Sequence, residues 1–244
     1  MAASGYNPQA VGPRTSRAID ARGLRPVIGD YARWGSGVLG GLPWSLRGHH
    51  GQFEFWGRRY PYRYGAYKFS WLTERAVEVP VGQALVDAHP PEAVLEVGNV
   101  LARYGPQSHK IVDKYETGPG VLNRDVLDLD DLGRFELVVA ISTIEHVGWD
   151  EAPRNPTKAP EAVRALQRLL SPSGRLLLTV PVGYHQGLDA AIRDGEFAFE
   201  RAGALRRVSQ TTWREAAPDE VWGLSYDWLL YCARAVFIGL LGPQ

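Results

Sequence analysis

The chain holds a single cysteine, Cys232, so neither an internal disulfide nor a cysteine-ligated zinc cluster can form. That poverty in thiols favours a cytoplasmic protein. An excess of either charge is also missing: 27 Lys and Arg balance 27 Asp and Glu among 244 residues. A neutral chain exerts no global attraction on nucleic acid or anionic lipid, which argues against a nucleic-acid partner. No apolar run has membrane length. The most apolar stretch, Trp228 to Leu241, is too short and carries Arg234. The first twenty residues contain no apolar run of the secretory kind. Apolar residues at 45% and charged residues at 22% exclude a mostly disordered, coiled-coil or collagen-like chain.

What is present falls into three parts. Residues 1–30 are rich in Gly, Pro, Ser and Arg without periodicity, and read as a flexible or surface-wrapped arm. Residues 31–90 read as an aromatic cap with a lead-in helix. Twelve of the 26 aromatics lie between Tyr31 and Trp71, with Glu54 the only acid there. Gln52–Trp56 and Tyr60–Tyr64 flank Gly57-Arg58-Arg59 as a hairpin, its second strand restricted to an edge by Pro61. Val77, Val81, Leu85 and Ala88 fall at helical spacing around Pro80, so a kinked helix or two short ones follow. The aromatic segment reads as a lid over substrate, a nucleic-acid platform or a layer of core, with lid and core favoured by the neutral charge and Tyr62 and Tyr64 as candidate substrate contacts.

From residue 91 to 244 short apolar strands alternate with turns and helices. Strands are expected at Ala93–Val97, Ile111–Val112, Val121–Val126, Phe135–Ile141, Arg175–Val180, Leu205–Ser209 and Ala235–Leu241. Glu161–Leu170 reads as an amphipathic helix stopped by Ser171-Pro172-Ser173-Gly174. This alternation predicts an α/β fold whose sheet is mostly parallel and covered on both faces. Such a sheet binds its ligand beyond the C-terminal strand ends, where strand order reverses. Glu96 and Gly98 sit at the first such end. Asp113 ends the second strand, 17 residues beyond Glu96, as an acid binding ribose hydroxyls would. Asp125 follows the third. The dinucleotide fingerprint G-x-G-x-x-G is absent, because Asn99 and Val100 follow Gly98. The first crossover helix must be brief, and Lys114–Gly120 replaces the second with a loop. Glu116, close to Asp113, is a rival for the ribose.

The ordered segments Val94-Leu95-Glu96-Val97-Gly98, Asp113, Asp125, Phe135 to Val147 and Leu169 to Pro181 resemble the class I S-adenosylmethionine-dependent methyltransferases. The step Glu145-His146-Val147 is similar to the quinone-biosynthesis branch. The resemblance covers residues 92–182. It implies a Rossmann-like methyltransferase sheet and S-adenosylmethionine as cofactor. It also implies that Glu96, Gly98 and the adjoining Asn99 cradle the methionine part, with Glu96 near its ammonium. Asp113 would bind the ribose, Asp125 and the Val126 backbone the adenine, and Ser142 would line the methionine side. Arg75, beside Glu74, is placed to reach the cofactor carboxylate as a bidentate donor.

Methyl transfer asks the protein mainly to align an acceptor and exclude water, with a base where a proton must leave. His146, just past the fourth strand, is the first candidate base, and His185, with Tyr184 beside it, the second. Asp150 and Glu151 are adjacent acids that point in different directions, so no metal is expected. His49-His50 is a further potential ligand pair. The expected reaction is methyl transfer to a small molecule, to oxygen in preference to nitrogen. The alternatives are a nicotinamide-dependent oxidoreductase and a non-catalytic cofactor-binding or scaffold protein.

Overall fold

Residues 11–47 and 51–243 are described by a computed structural model. His49-His50 lies outside them. Two helices, α1 (Val11–Arg22) and α2 (Leu24–Arg47), precede the hairpin β1 (Gln52–Phe55) and β2 (Arg58–Pro61), and α3 (Arg75–Val86) follows it. The main sheet is built from β3 (Val94–Val97), β4 (Lys110–Val112), β5 (Val121–Leu122), β6 (Phe135–Ile141), β7 (Leu170–Pro181), β8 (Phe199–Arg207), β9 (Trp213–Ala216) and β10 (Ala235–Leu241). Between β6 and β7 runs α4 (Lys158–Arg168), and between β7 and β8 runs α5 (Gln186–Arg193). The fold is α/β, as expected.

Strand order is β5-β4-β3-β6-β7-β10-β8-β9. The first five of these pair in parallel, while β10 runs antiparallel to both neighbours. The chain lays down β3, β4 and β5 in one direction, then returns to place β6 on the other side of β3. Strand order therefore reverses between β3 and β6, and a crevice opens beyond their C-terminal ends. Side chains alternate across the sheet. Val138 and Ala140 of β6 join the core under α4 and α5, while Leu137, Val139 and Ile141 join the core under α3 and the hairpin. That double burial is why β6 reads as an unbroken apolar run.

The arm reading of residues 1–30 is corrected from residue 11 onward, where the chain is helical. Its prolines misled. Pro13 and Pro26 both sit in first turns, where a missing N–H costs nothing. Gly23, at φ +82°, ends α1 in the left-handed conformation, with its N–H bonded to Ile19 O at 2.7 Å. Elsewhere α3 is one continuous helix containing Pro80. The carbonyl that Pro80 strands, that of Ala76, accepts the N–H of Arg63 at 2.9 Å instead. The first crossover is a single 3-10 turn, Leu101–Arg103, and no helix follows β4. Ser171–Gly174 is not a stop before a strand but an irregular stretch of β7 itself, where the pairing shifts from Phe135–Leu170 to Leu137–Arg175. β8 begins earlier than expected, at Phe199, and β9 was not anticipated, because their charged outward residues mask the alternation. No helix among the described residues is long and apolar enough to cross a membrane.

Tyr62 and Tyr64 lie away from the crevice. Tyr62 Oη accepts the Trp213 N–H at 3.0 Å and donates to the Trp213 carbonyl at 3.4 Å, while Tyr64 Oη donates to Thr211 O at 3.1 Å. Phe53, Phe55 and Tyr60 are buried beside them. The hairpin is thus a layer of core over the β8–β9 edge and not a lid over substrate. Tyr62→Phe should cost about 1–3 kcal/mol in a denaturant titration, since it leaves a buried N–H unpaired. Ligand affinity at the crevice should not change.

Candidate functional site

Beyond the ends of β3, β4 and β6 lies a cleft of about 610 Å³, within the range of small-molecule sites. Gly98, at φ +87°, turns the chain out of β3. A Cβ there would stand 2.1 Å from Thr143 Oγ1, so glycine is required by the close approach of the β6 loop. Glu96 does not line this cleft. It is fully buried: Oε1 accepts the N–H groups of Val100 and Leu101 at 2.8 and 2.7 Å, and Oε2 meets His109 Nε2 at 2.8 Å. Its work is to fasten the β3–β4 connection, which corrects its expected place beside a ligand ammonium. His109 was not anticipated.

Asp113 is at the cleft wall. Oδ1 accepts the N–H groups of Tyr115 and Glu116 at 2.8 and 2.7 Å, and Oδ2 accepts that of Asn99 at 3.1 Å. A carboxylate has about four acceptor sites, so one remains for a ligand donor. Glu116 Oε2 is held by Arg103 at 2.6 Å and by Asn99 Nδ2 at 3.2 Å. The other end of the Asn99 amide, Oδ1, is buried with no hydrogen-bond partner among the described residues. Asp125 and Val126 reach the same cleft. Asp125 Oδ2 lies 2.9 Å from Lys114 Nζ and 2.8 Å from Lys158 Nζ. Burial works against its charge, but Lys158, the Leu127 N–H and Lys114 prevail and hold it down at about 2. Glu151 bridges the same two lysines, whereas Asp150 faces away from them.

Ser142 sits at the end of β6 with φ +39°, an unfavourable value for a non-glycine residue. It is held there by its N–H to Thr179 O and Oγ1 at 3.1 and 2.9 Å, and by Oγ to Glu78 Oε2 at 2.6 Å. Arg75 also reaches the cleft but is committed. It pairs with Glu78 and donates to the carbonyls of Ile141 at 3.1 Å and Ser142 at 3.4 Å. Its fork is therefore a clamp on the β6 end, where a free bidentate donor was expected.

A second pocket, about 240 Å³, opens on the other side of these residues. The two spaces share Arg75, Ser142 and His146. The second is walled by Trp34 of α2, Phe69, Tyr184, Tyr226 and Tyr231, and Arg14 of α1 lines it too. The N-terminal helices thus belong to the site, where an expendable arm was expected.

His146 stands at the junction. Its Nδ1 lies 2.6 Å from Asp150 Oδ2. The same oxygen accepts Tyr184 Oη at 2.6 Å, and Tyr184 Oη meets Tyr231 Oη at 2.8 Å. A carboxylate only accepts, so this bond takes a proton on Nδ1 and leaves Nε2 for another partner. Burial pushes the Tyr184 hydroxyl far above its ordinary range, so it stays a donor. His185 is elsewhere. It is fully buried, its Nδ1 caps α5 by accepting the Leu188 N–H at 3.0 Å, and burial lowers it to about 4. It lines neither pocket and is corrected to a structural cap. Sequence reasoning missed Glu78, Glu145, Thr143 and Tyr231. Two of them carried a signal: Glu145 in the Glu145-His146-Val147 step, and Glu78 as an acid on the apolar face of α3, one turn beyond Glu74.

No family model and no curated protein matches the chain. Among solved structures, it is similar to the N-methyltransferase NodS from Bradyrhizobium japonicum WM9 (12% identity, 70% of this chain and 97% of that one, TM-score 0.40). It is similar also to a methyltransferase from Thermotoga maritima described as a possible histamine N-methyltransferase (17%, 70% and 89%, TM-score 0.39). A third is a TehB-like methyltransferase from Corynebacterium glutamicum (16%, 66% and 86%, TM-score 0.36). Likenesses this distant leave function to be argued from the cleft.

Proposed function

We propose that the protein is an enzyme, an S-adenosylmethionine-dependent methyltransferase acting on a small molecule. The observation that carries this is the junction: a nucleotide-sized cleft at the sheet's switch point meets a smaller aromatic pocket at one imidazole, whose Nδ1 is bound to Asp150. The cleft suits the cofactor. The orphaned Asn99 Oδ1 needs a donor, such as an ammonium or hydroxyl, and Asp113 directly follows β4, where ribose hydroxyls would be held. The Gly98 loop is filled by Thr143 and offers no close approach to a pyrophosphate, and this ligand has none. Asn99, Asp113, Asp125 and the Val126 backbone would hold it. When bound, it supplies a methyl group already activated on a sulfonium.

The chain's own residues align and deprotonate the acceptor. Ser142 and Arg75 shape the passage between the pockets. His146 Nε2 takes the acceptor's proton, Asp150 fixes the ring by its other nitrogen, and Tyr184, itself bonded to Tyr231, holds Asp150. A proton-bearing acceptor, hydroxyl or amine, fits this chemistry. The sequence-level preference for oxygen rested on the need for a base, and an amine meets that need equally.

Calorimetry tests the reading. S-adenosylhomocysteine should bind, and NAD at the same concentration should not. Asp113→Ala should weaken binding by about 1.5–3 kcal/mol, the loss of the one charge-assisted hydrogen bond its carboxylate has left for a ligand. Selective NAD binding would overturn the reading. Full affinity in Asp113→Ala, with loss in Glu116→Ala, would move the ribose to Glu116.

A further inference from the structure

The wall of the second pocket contains a group that methyl transfer alone does not use. Glu145 is 1% exposed, and its Oε2 has no hydrogen-bond partner among the described residues. Its Oε1 lies 3.6 Å from His146 Nε2, so carboxyl and base converge on one point. Burial holds the carboxyl well above its ordinary range, and its own backbone N–H and the Arg75 guanidinium, itself bound to Glu78, only partly offset this. Around it stand Trp34, Phe69, Tyr184, Tyr226 and Tyr231.

We propose that Glu145 and this aromatic wall form a seat for a protonated amine, the acceptor of the methyl-transfer reading on which this inference rests. Aromatic faces attract a cation, and the site excludes water, which strengthens that attraction. An ammonium brings a further positive charge and several N–H donors, one of which the unpartnered Oε2 can accept. A neutral hydroxyl brings one donor and no charge. An anionic acceptor would meet Glu74 and Glu145 together. The cations that line the pocket are already engaged. Arg75 pairs with Glu78, and the Arg14 guanidinium lies 5.0 Å over the Tyr231 ring. By the ~30 Å³ that a water occupies in the liquid, the pocket has room for about eight water-sized groups, the scale of an arylalkylamine.

The full-length chain is first titrated with S-adenosylhomocysteine, then, saturated with it, with 2-phenylethylamine and with 2-phenylethanol. The amine should bind about tenfold or more tightly than the alcohol. Glu145→Gln keeps the shape and removes the charge. It should weaken the amine by about tenfold or more, while the alcohol and S-adenosylhomocysteine stay within about twofold. Equal binding of amine and alcohol to the wild type overturns the proposal without recourse to any variant. So does full amine affinity in a folded Glu145→Gln protein, or binding of neither compound beside intact S-adenosylhomocysteine binding. Failure of S-adenosylhomocysteine alone, with the amine pattern intact, refutes methyl transfer and leaves the amine seat standing.

Discussion

His146→Ala lowers kcat by about 10²–10⁴-fold, the loss expected of a general base, and leaves S-adenosylhomocysteine affinity nearly unchanged. The expectation follows from the ring's two nitrogens. Nδ1 is bound to Asp150 at 2.6 Å, which leaves Nε2 as the acceptor at the junction of the two pockets. Asp150→Asn keeps the shape but replaces an obligate acceptor by an amide that can turn its N–H₂ toward the ring, so the tautomer is no longer fixed. A smaller fall in kcat follows. Tyr184→Phe removes one of the bonds that orient Asp150 and should have the least effect of the three. His146→Gln separates positioning from proton transfer, because it keeps a polar group and cannot take the proton. Single-turnover rates with a productive amine or phenol decide the matter. Near-normal kcat in His146→Ala would make methyl transfer here a matter of alignment only. Loss of S-adenosylhomocysteine binding as well would place His146 in the cofactor shell.

Position along the chain made His146 legible, since a residue just past the clearest apolar strand must lie at the ligand edge of a parallel sheet. The same rule failed at His185. It too follows a strand end, but its imidazole turns inward to cap α5, and no spacing announces which way a side chain turns at a helix start. Glu96 was located correctly in the fold, yet its carboxylate serves two backbone N–H groups and His109. A short crossover has few internal hydrogen bonds, so a strand acid has to supply them. The N-terminal helices were lost to composition, because prolines count as breakers only away from a first turn. The aromatics of the hairpin were visible, and their destination was not. Periodicity shows which face of a strand is buried but not which sheet edge it covers, and β9, the edge in question, was itself hidden by its charges. The second pocket was legible in pieces only: Trp34 and Phe69 stood in the aromatic segment, Tyr184 beside His185 and Glu145 beside His146, but their meeting with Arg14 and Tyr231 shows only in the folded chain.

Glu78→Ala should destabilise the fold by about 3–5 kcal/mol, the usual cost of leaving one member of a buried ion pair behind. Glu78 has no exposed surface, and the Arg75 side chain retains 13% of its own. Burial raises the Glu78 carboxyl, Arg75 pulls it back, and the Ser142 and Thr179 hydroxyls donate to Oε2 at 2.6 and 2.9 Å. Alanine therefore strands one guanidinium and two hydroxyls in the interior at once. The pair is not needed for stability as such. A packed apolar replacement of both members, Arg75→Met with Glu78→Leu, should recover much of the loss, because no charge then remains to be desolvated. Ser142 distinguishes the two roles of the pair. Its backbone is held at φ +39° in part by Glu78, and it borders both pockets. The double variant should accordingly unfold at a denaturant midpoint above that of Glu78→Ala and below the wild type, because the Ser142 and Thr179 hydroxyls stay unpaired, and should still bind S-adenosylhomocysteine more weakly. Wild-type stability in Glu78→Ala would show that Arg75 finds water or another acceptor. Wild-type affinity in the double variant would show that the β6 end is held by Thr179 alone, and that α3 contributes packing to the site and nothing to its geometry.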